Sequence, residues 1–205
     1  MRKLYDILQQ IWQRINWQPN VCTWLEFLFI VAVIPVMLLA DPTWFVEDGL
    51  VENIQLIVLS LAFILALKSQ NQHRFFVFLG MIVLFMIMRE TNLFRGYFCE
   101  KYLSPDDICR WKEFKYGYLV TGGRLIFVAF VLWYFIKNKL WQPLWNYIVK
   151  APIYIWDFTF LVLMILGGTV AEFSCIDNEI MEEFCELISY IVVGNCIWRY
   201  RQVSV

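Results

Sequence analysis

Charged and amide side chains lie within stretches of this chain that are otherwise apolar. Side chains of these types can transfer protons or bind ions. Glu52 and Gln55 lie three residues apart, with Asp48 one turn before them, so a helix would project all three from one face. Carboxylates in such a setting can accept a proton or bind a cation, and guanidinium groups can bind phosphate or carboxylate. The predicted cluster comprises Asp48, Glu52, Gln55, Arg89, Glu90, Arg124 and Glu172.

The apolar runs beside the two arginines are too short to cross a bilayer by themselves. Residues 75–88 form one run and residues 125–136 the other, whereas a membrane-crossing helix needs about 20 residues. Both helices must therefore include their charged neighbours, which places Arg89, Glu90 and Arg124 at membrane depth. Because a charge at that depth is costly, such side chains usually face the interior of a helix bundle and form pairs.

Two interpretations of this cluster are open. In the first, the charges form ion pairs that hold the helices in register and bind nothing. In the second, an outward-facing pocket binds an anionic or zwitterionic group, such as a lipid head group, on Arg89 and Arg124. A carboxylate at Glu52, Glu90 or Glu172 would then handle a proton or a cation.

Small residues near two of the charges predict close helix contacts. Gly122 and Gly123 precede Arg124, while Gly167, Gly168 and Ala171 lead to Glu172. Such residues let helix backbones approach closely. If the fourth and fifth apolar segments are neighbours, the same approach predicts a pair between Arg124 and Glu172.

The composition indicates the kind of element that must hold these residues. Of the 205 residues, 60% are hydrophobic and 17% are charged, whereas about a quarter of the residues in an ordinary soluble domain are charged. The pattern predicts an all-α integral membrane protein with about six transmembrane helices. Residues 21–205 are expected to form a single membrane domain with spans near 23–41, 49–68, 75–94, 117–136, 153–173 and 181–198.

Two further segments have the spacing of amphipathic helices that lie on a membrane surface. Residues 1–20 form the first, and apolar side chains recur there at every third or fourth position: Leu4, Ile7, Leu8, Ile11, Trp12 and Ile15. The second lies between Lys139 and Lys150, where the stripe comprises Trp141, Leu144, Trp145 and Ile148.

The distribution of basic residues predicts the orientation in the membrane. With a cytoplasmic N-terminus, ten Lys and Arg residues lie inside and five lie outside, which follows the positive-inside rule. The ten are Arg2, Lys3, Arg14, Lys68, Arg74, Lys137, Lys139, Lys150, Arg199 and Arg201; the five are Arg95, Lys101, Arg110, Lys112 and Lys115. We therefore expect both termini in the cytoplasm and the protein in the inner (plasma) membrane.

Four of the six cysteines are expected on the outer side, where disulfides persist. Their spacing makes local pairs, Cys99 with Cys109 and Cys175 with Cys185, the simplest connectivity, and cross-loop pairing is the alternative. A thiol oxidoreductase that passes electrons to a quinone is a sharper interpretation, but the C-x-x-C pair typical of such enzymes does not occur here.

These observations leave three classes of function. The first is a binding or transport protein whose outer-leaflet cluster holds a polar ligand or a lipid head group. The second is a non-catalytic assembly subunit with structural charges, and the third is an enzyme acting on a lipid-linked substrate. Membrane lipids and either another membrane protein or a second copy of the chain are the expected partners. With a net charge of −1 and one histidine, we expect no nucleic-acid partner, no metal and no cofactor.

Overall fold

The computed structural model describes residues 9, 11–39, 44, 50–90, 117–173 and 179–203, and within these ranges the chain is mostly helical. Residues 11–14 are also helical and lead into a short strand. Seven longer helices follow in the described ranges: α1 (Val21–Leu39), α2 (Leu50–Leu67), α3 (His73–Glu90), α4 (Gly117–Lys137), α5 (Trp141–Lys150), α6 (Ile155–Phe173) and α7 (Glu179–Tyr200).

Each predicted apolar window lies on one of these helices. The six long helices have 18 to 22 residues, and their bounds differ from the predicted windows by no more than four residues. This agreement follows from composition, because long uninterrupted apolar stretches favour helix and satisfy every backbone polar group within one segment. The helical class of the fold is therefore confirmed.

The start of α1 has a clear local cause. Asn20 precedes the helix, and its side-chain Oδ1 accepts a hydrogen bond from the backbone N–H of Thr23 at 2.7 Å. Asparagine is a favoured residue at this position because its side chain satisfies an otherwise unpaired N–H of the first turn. The cap also orients Thr23, which belongs to a polar cluster described below.

Helix α7 is the centre of the bundle. It packs against α1, α2 and α6, while α3 packs on α2 and α4 packs on α3. Successive long helices run in opposite directions, so the bundle has two ends. We call the end at which α1, α3 and α6 begin the proximal end, and the end at which α2, α4 and α7 begin the distal end.

Apolar side chains fill the middle of the bundle and also cover much of its outside. Leu59, Phe76 and Ile188 are fully buried between the helices. On the outer surface, however, Ile126 is 73% exposed and Leu166 is 57% exposed. Exposed apolar side chains of this size and number are unusual for a protein surrounded by water.

By length and composition, one helix of the described residues is able to cross a membrane. This is α2, with a mean hydropathy of 2.2 over Leu50–Leu67. The apolar segments Val21–Ala32 of α1 and Ile155–Ala171 of α6 are shorter. Length and hydropathy alone therefore do not give the number of membrane spans.

The N-terminal segment differs from its prediction. Ile15 and Asn16 form a two-residue strand, β1, which pairs in parallel with β2 (Ile153–Tyr154). The predicted helix over residues 1–20 thus ends before Ile15. A tertiary contact explains the change, because the Arg14 side chain donates hydrogen bonds to the carbonyl oxygens of Ile148 and Ala151 and holds this segment beside the end of α5.

The second amphipathic segment is helical as predicted. In α5, Trp145 and Ile148 are exposed whereas Tyr147, on the other face, is 8% exposed. Tyr147 packs between Phe75 of α3 and Tyr200 of α7, with ring centroids 5.2 and 5.9 Å away. Helix α5 therefore covers the proximal end of the bundle with its apolar stripe facing outward.

Candidate functional site

A polar cluster lies at the distal end, and Gln55 forms its buried base. Gln55 is in the second turn of α2 and is 0% exposed. Its Nε2 donates to the backbone oxygen of Glu183 at 3.0 Å and to the Oε2 atom of Glu183 at 2.9 Å. No donor among the described residues reaches the Gln55 Oε1 atom, which is a buried acceptor.

The last turn of α3 supplies the second part of this cluster. Arg89, whose side chain is 60% exposed, contacts Glu186 of α7, and its Nε lies 3.5 Å from the Oε1 atom of Glu90. Glu90 is 8% exposed and accepts a hydrogen bond from the Tyr190 hydroxyl at 2.7 Å. We call the residues Gln55, Arg89, Glu90, Glu183, Glu186 and Tyr190 the distal cluster.

Within the described residues, acidic side chains outnumber basic ones in the distal cluster. The carboxylates of Glu52, Glu90 and Glu186 lie within electrostatic range of Glu183. Arg89 already contacts two of these groups, Glu186 and Glu90. Three acidic side chains, Glu90, Glu183 and Glu186, surround one guanidinium that already contacts two of them, and this arrangement favours a cation over an anion.

The structure brings together three of the predicted residues, Gln55, Arg89 and Glu90. Glu52 also lies close, in the first turn of α2. Asp48 lies outside the described residues, as does the side chain of Glu172 at the end of α6.

Sequence reasoning missed the contribution of α7. Glu183, Glu186 and Tyr190 follow one another at helical spacing and so lie on one face of α7. That spacing is visible in the sequence, but it predicted only that these carboxylates lie at the outer end of a helix. Only the side-chain contacts of α7 with α2 and α3 reveal that they face the other polar residues.

The predicted pair of Arg124 and Glu172 stays a prediction, because the side chain of Glu172 lies outside the described residues. Among the described residues, α4 packs on α3, while α6 packs along α7. A side chain added at Gly122 or Gly123 would meet no atom within 4 Å. The close contact is instead made by α6, since a Cβ at Gly167 would lie 3.0 Å from the Cys185 sulfur.

That contact also corrects the predicted role of Cys185. Its thiol is free and 3% exposed, because this face of α7 is packed against Gly167 and Gly168 and does not point to the outer loop. The structure therefore does not contain the predicted disulfide at Cys185. Cys99, Cys109 and Cys175 lie outside the described residues.

A second polar cluster lies at the proximal end. It comprises Thr23 and Glu26 of α1, Asp157 of α6, and Asn195 and Arg199 of α7, and we call it the proximal cluster. Each of these side chains is buried, with Glu26 at 0% and Arg199 at 8% exposure. The sequence left two interpretations of Glu26 and Asp157 open, a second polar site or helix-start carboxylates at the interface, where the helix dipole favours negative charge. Their burial favours the polar site over the interface.

Hydrogen bonds connect the proximal cluster across three helices. Thr23 donates to the Oδ1 atom of Asp157 at 2.8 Å, and an Arg199 guanidinium N–H donates to the Thr23 hydroxyl oxygen at 2.8 Å. Asn195 donates to the Oε1 atom of Glu26 at 2.9 Å. The Arg199 Nε lies 3.3 Å from the Oδ2 atom of Asp157.

Tyr154 closes the proximal cluster from the side of β2. The Arg199 guanidinium lies 4.3 Å from the centre of its ring, in a cation–π geometry. Burial raises the pKa of the Tyr154 hydroxyl above its ordinary value near 10, and Arg199 opposes this shift. Tyr154 is therefore a neutral wall of the cluster.

An apolar groove lies beside the proximal cluster. It has a volume of about 350 Å³ and lies between α3, α5, α6 and α7, with Phe75, Leu79, Leu161 and Ile197 among its lining residues. Its composition suits hydrocarbon and offers no charged group. In the described ranges, no three His, Cys, Asp or Glu side chains are arranged to hold a metal ion.

No family model matches this sequence, no curated protein is significantly similar to it, and no solved structure matches its fold.

Proposed function

We propose that this chain is a six-span membrane protein that binds a small organic cation at its distal cluster. In this proposal both termini lie on the cytoplasmic side of the inner (plasma) membrane, and the distal cluster lies at the depth of the outer leaflet. The ligand presents a protonated amine. Motion of the bundle determines whether the ligand is released across the membrane or stays bound.

Three features support the six-span topology. The long helices have 18 to 22 residues, which gives each a length of about 27 to 33 Å, close to the thickness of the hydrocarbon core. Large apolar side chains face outward on α1, α2, α4 and α6. The greater number of basic residues on the proximal side follows the positive-inside rule.

The charge balance of the distal cluster carries the choice of ligand. Glu183 accepts a hydrogen bond from Gln55 and contacts no arginine or lysine within the described residues. The buried Oε1 atom of Gln55 is a second acceptor beside it. A primary ammonium group, with a positive charge and three N–H donors, matches both acceptors better than a phosphate does.

This choice revises the first expectation for the site. An anionic ligand on Arg89 would have to displace Glu186 and Glu90 from the guanidinium. It would also approach carboxylates that repel it. A zwitterionic lipid head group remains compatible with the proposal through its amine.

A thermal unfolding experiment on the protein in lipid nanodiscs tests the proposal. Ethanolamine is the cationic probe, acetate is the anionic control, and tetramethylammonium is a cation without N–H donors. We expect a saturable rise of Tm with ethanolamine that is larger than with tetramethylammonium and is missing with acetate. Glu183→Gln should abolish the rise, whereas Glu182→Gln, a matched change at the adjacent position of α7, should retain it.

A second candidate function is that of a membrane subunit, and α4 favours it. Its side chains Leu125, Ile126 and Ile136 are between 64% and 73% exposed, and no described atom comes near Cβ positions at Gly122 and Gly123. A surface with small residues suits another transmembrane helix. Co-purification of a second protein that is lost on Gly122→Leu would favour this function.

A further inference from the structure

The proximal cluster contains more acidic than basic groups, and all of them are buried. Within the described residues, Glu26 is 0% exposed, Asp157 is 1% exposed and Arg199 is 8% exposed. With every group ionised, two negative charges would face one positive charge. A buried charge that lacks a partner is strongly unfavourable, so one more positive charge is needed to make the proximal cluster neutral.

The positive charge of Arg199 is paired with Asp157. Its Nε lies 3.3 Å from the Oδ2 atom of Asp157, and another guanidinium N–H donates to Thr23, which in turn donates to Asp157. Asp157 is therefore stabilised as a carboxylate by a cation and by a hydroxyl donor.

In the described ranges, Glu26 differs from Asp157 in having no cation beside it. Its Oε1 atom accepts one hydrogen bond, from the neutral amide of Asn195, and its Oε2 atom, like the Oδ2 atom of Asp157, accepts none from the described residues. Within the described residues, no lysine or arginine nitrogen forms an ion pair with it, although Arg199 lies within electrostatic range. Its surroundings suit a neutral carboxylic acid better than a carboxylate.

The other titratable groups around the cluster do not supply the missing charge. They are Cys22 on α1, Cys196 on α7 and Tyr154 on β2. Thiols and phenols are neutral when protonated and negative when they lose a proton, so none of them contributes a cation. A metal ion is also a poor fit, because no described group of three acidic, thiol or imidazole side chains could hold one.

We propose that the proximal cluster is a proton-binding site in which Glu26 carries the proton while Asp157 stays ionised against Arg199. The site then contains one negative and one positive charge and is neutral. Two carboxyl groups that share one proton are a known solution where like charges cannot both be ionised. The inference goes beyond the cation site at the distal end and does not depend on it.

Infrared spectroscopy of nanodisc-held protein at pH 7 tests this assignment. A protonated carboxyl group has a C=O band that shifts in D₂O, and the difference spectrum between wild type and Glu26→Gln reports the form of Glu26. We expect loss of one such band in Glu26→Gln and no loss in the control Glu182→Gln. Loss of a carboxylate band alone would overturn the proposal.

A second measurement covers the case in which the spectra are crowded. While folded protein holds a proton on Glu26 that unfolded protein has released, the unfolding equilibrium constant rises up to about tenfold per pH unit. This extra slope begins above about pH 4.3, where an ordinary Glu titrates, and ends where Glu26 itself loses the proton in the folded state. From about pH 5 upward, stability should therefore fall more steeply in wild type than in Glu26→Gln, by up to about tenfold per unit. Equal slopes would overturn the proposal, since the amide cannot bind the proton.

The effect of each substitution on folding separates this proposal from a purely structural role. Glu26→Gln replaces a neutral acid with a neutral amide of the same shape, so we expect folded protein in normal amount. Asp157→Asn leaves Arg199 without an anion and should reduce the folded fraction. Equal loss of folded protein in both variants would contradict the assignment of the proton to Glu26.

Discussion

Gln55 of α2 and Glu183 of α7 are joined by two hydrogen bonds that come from one amide group. The Gln55 Nε2 atom reaches both the backbone oxygen and the carboxylate of Glu183, at 3.0 and 2.9 Å. The pair joins the central helix to its neighbour at the base of the distal cluster. Among the described residues, no donor reaches the Gln55 oxygen, which is the second acceptor for the ammonium group in the proposed function.

Gln55→Leu should destabilise the protein. The change removes both hydrogen bonds and leaves the Glu183 carboxylate without its donor, which costs about 2 to 4 kcal/mol. Denaturant titration in mixed micelles measures this loss. Gln55→Glu is informative beside it, because it adds a negative charge of similar shape; a stability equal to that of wild type would contradict the acidic character of the cluster.

Tyr190→Phe should show how far α3 and α7 depend on their polar contact. The Tyr190 hydroxyl donates to the buried Glu90 at 2.7 Å, and hydrogen bonds to charged groups are worth about 1.5 to 3 kcal/mol. We expect a loss of this size in unfolding free energy. Tyr134→Phe provides a hydroxyl deletion at a half-buried tyrosine of α4, and an equal effect of both changes would argue against a specific role for Tyr190.

The pair of Asp157 and Arg199 should behave as a buried ion pair. Asp157→Leu alone leaves Arg199 uncompensated, and we expect a loss of about 3 to 5 kcal/mol. The double variant Asp157→Leu with Arg199→Met removes both charges and should recover most of that loss. A double variant no more stable than Asp157→Leu would contradict the pairing, and a double-mutant cycle gives the coupling directly.

Two glycines should respond to alanine in opposite ways. At Gly167 a Cβ would lie 3.0 Å from the Cys185 sulfur, whereas at Gly122 it meets nothing within 4 Å. Overpacking costs about 1 to 3 kcal/mol, and the helix-propensity gain from alanine is about 0.5 to 1 kcal/mol. We expect Gly167→Ala to lower the unfolding free energy and Gly122→Ala to leave it equal or raise it.

A second substitution checks the cause of the Gly167 effect. Cys185→Ala removes the sulfur that the new methyl group would meet. In that background, Gly167→Ala should cost less than it does alone. An unchanged cost would place the crowding elsewhere.

Mass spectrometry of the alkylated protein tests the state of Cys185. Because the structure holds this thiol free and 3% exposed, we expect it to resist alkylation in the folded protein and to react after denaturation without a reductant. Cys22, which is also free and more accessible, is the internal comparison. A Cys185 peptide that appears only after reduction would restore the disulfide interpretation.

Helix positions followed from the sequence because apolar run length determines them directly. The windows near 49–68 and 181–198, for example, correspond to α2 and α7. Which helices are neighbours did not follow, since lipid-facing and protein-facing apolar residues look alike in composition. The packing of α6 along α7 and of α4 on α3 did not follow for this reason. The pair of Arg124 and Glu172 stays a prediction, because the Glu172 side chain lies outside the described residues.

The distal cluster was partly predictable for a related reason. Gln55, Arg89 and Glu90 stood out because polar groups are costly in apolar segments. Glu183 and Glu186 did not, since carboxylates near a helix end are ordinary when that end faces water. Their role depends on the tertiary contacts of α7 with α2 and α3, and the local sequence pattern does not predict these contacts.

Equilibrium binding of labelled ethanolamine to the nanodisc-held protein tests the proposed cation site most directly. We expect saturable binding of one ethanolamine molecule per chain. Glu183→Gln should weaken this binding at least tenfold, and Glu182→Gln should leave it unchanged within error. Binding that does not saturate, or that is equal in wild type and Glu183→Gln, would contradict the assignment of the distal cluster as a cation site.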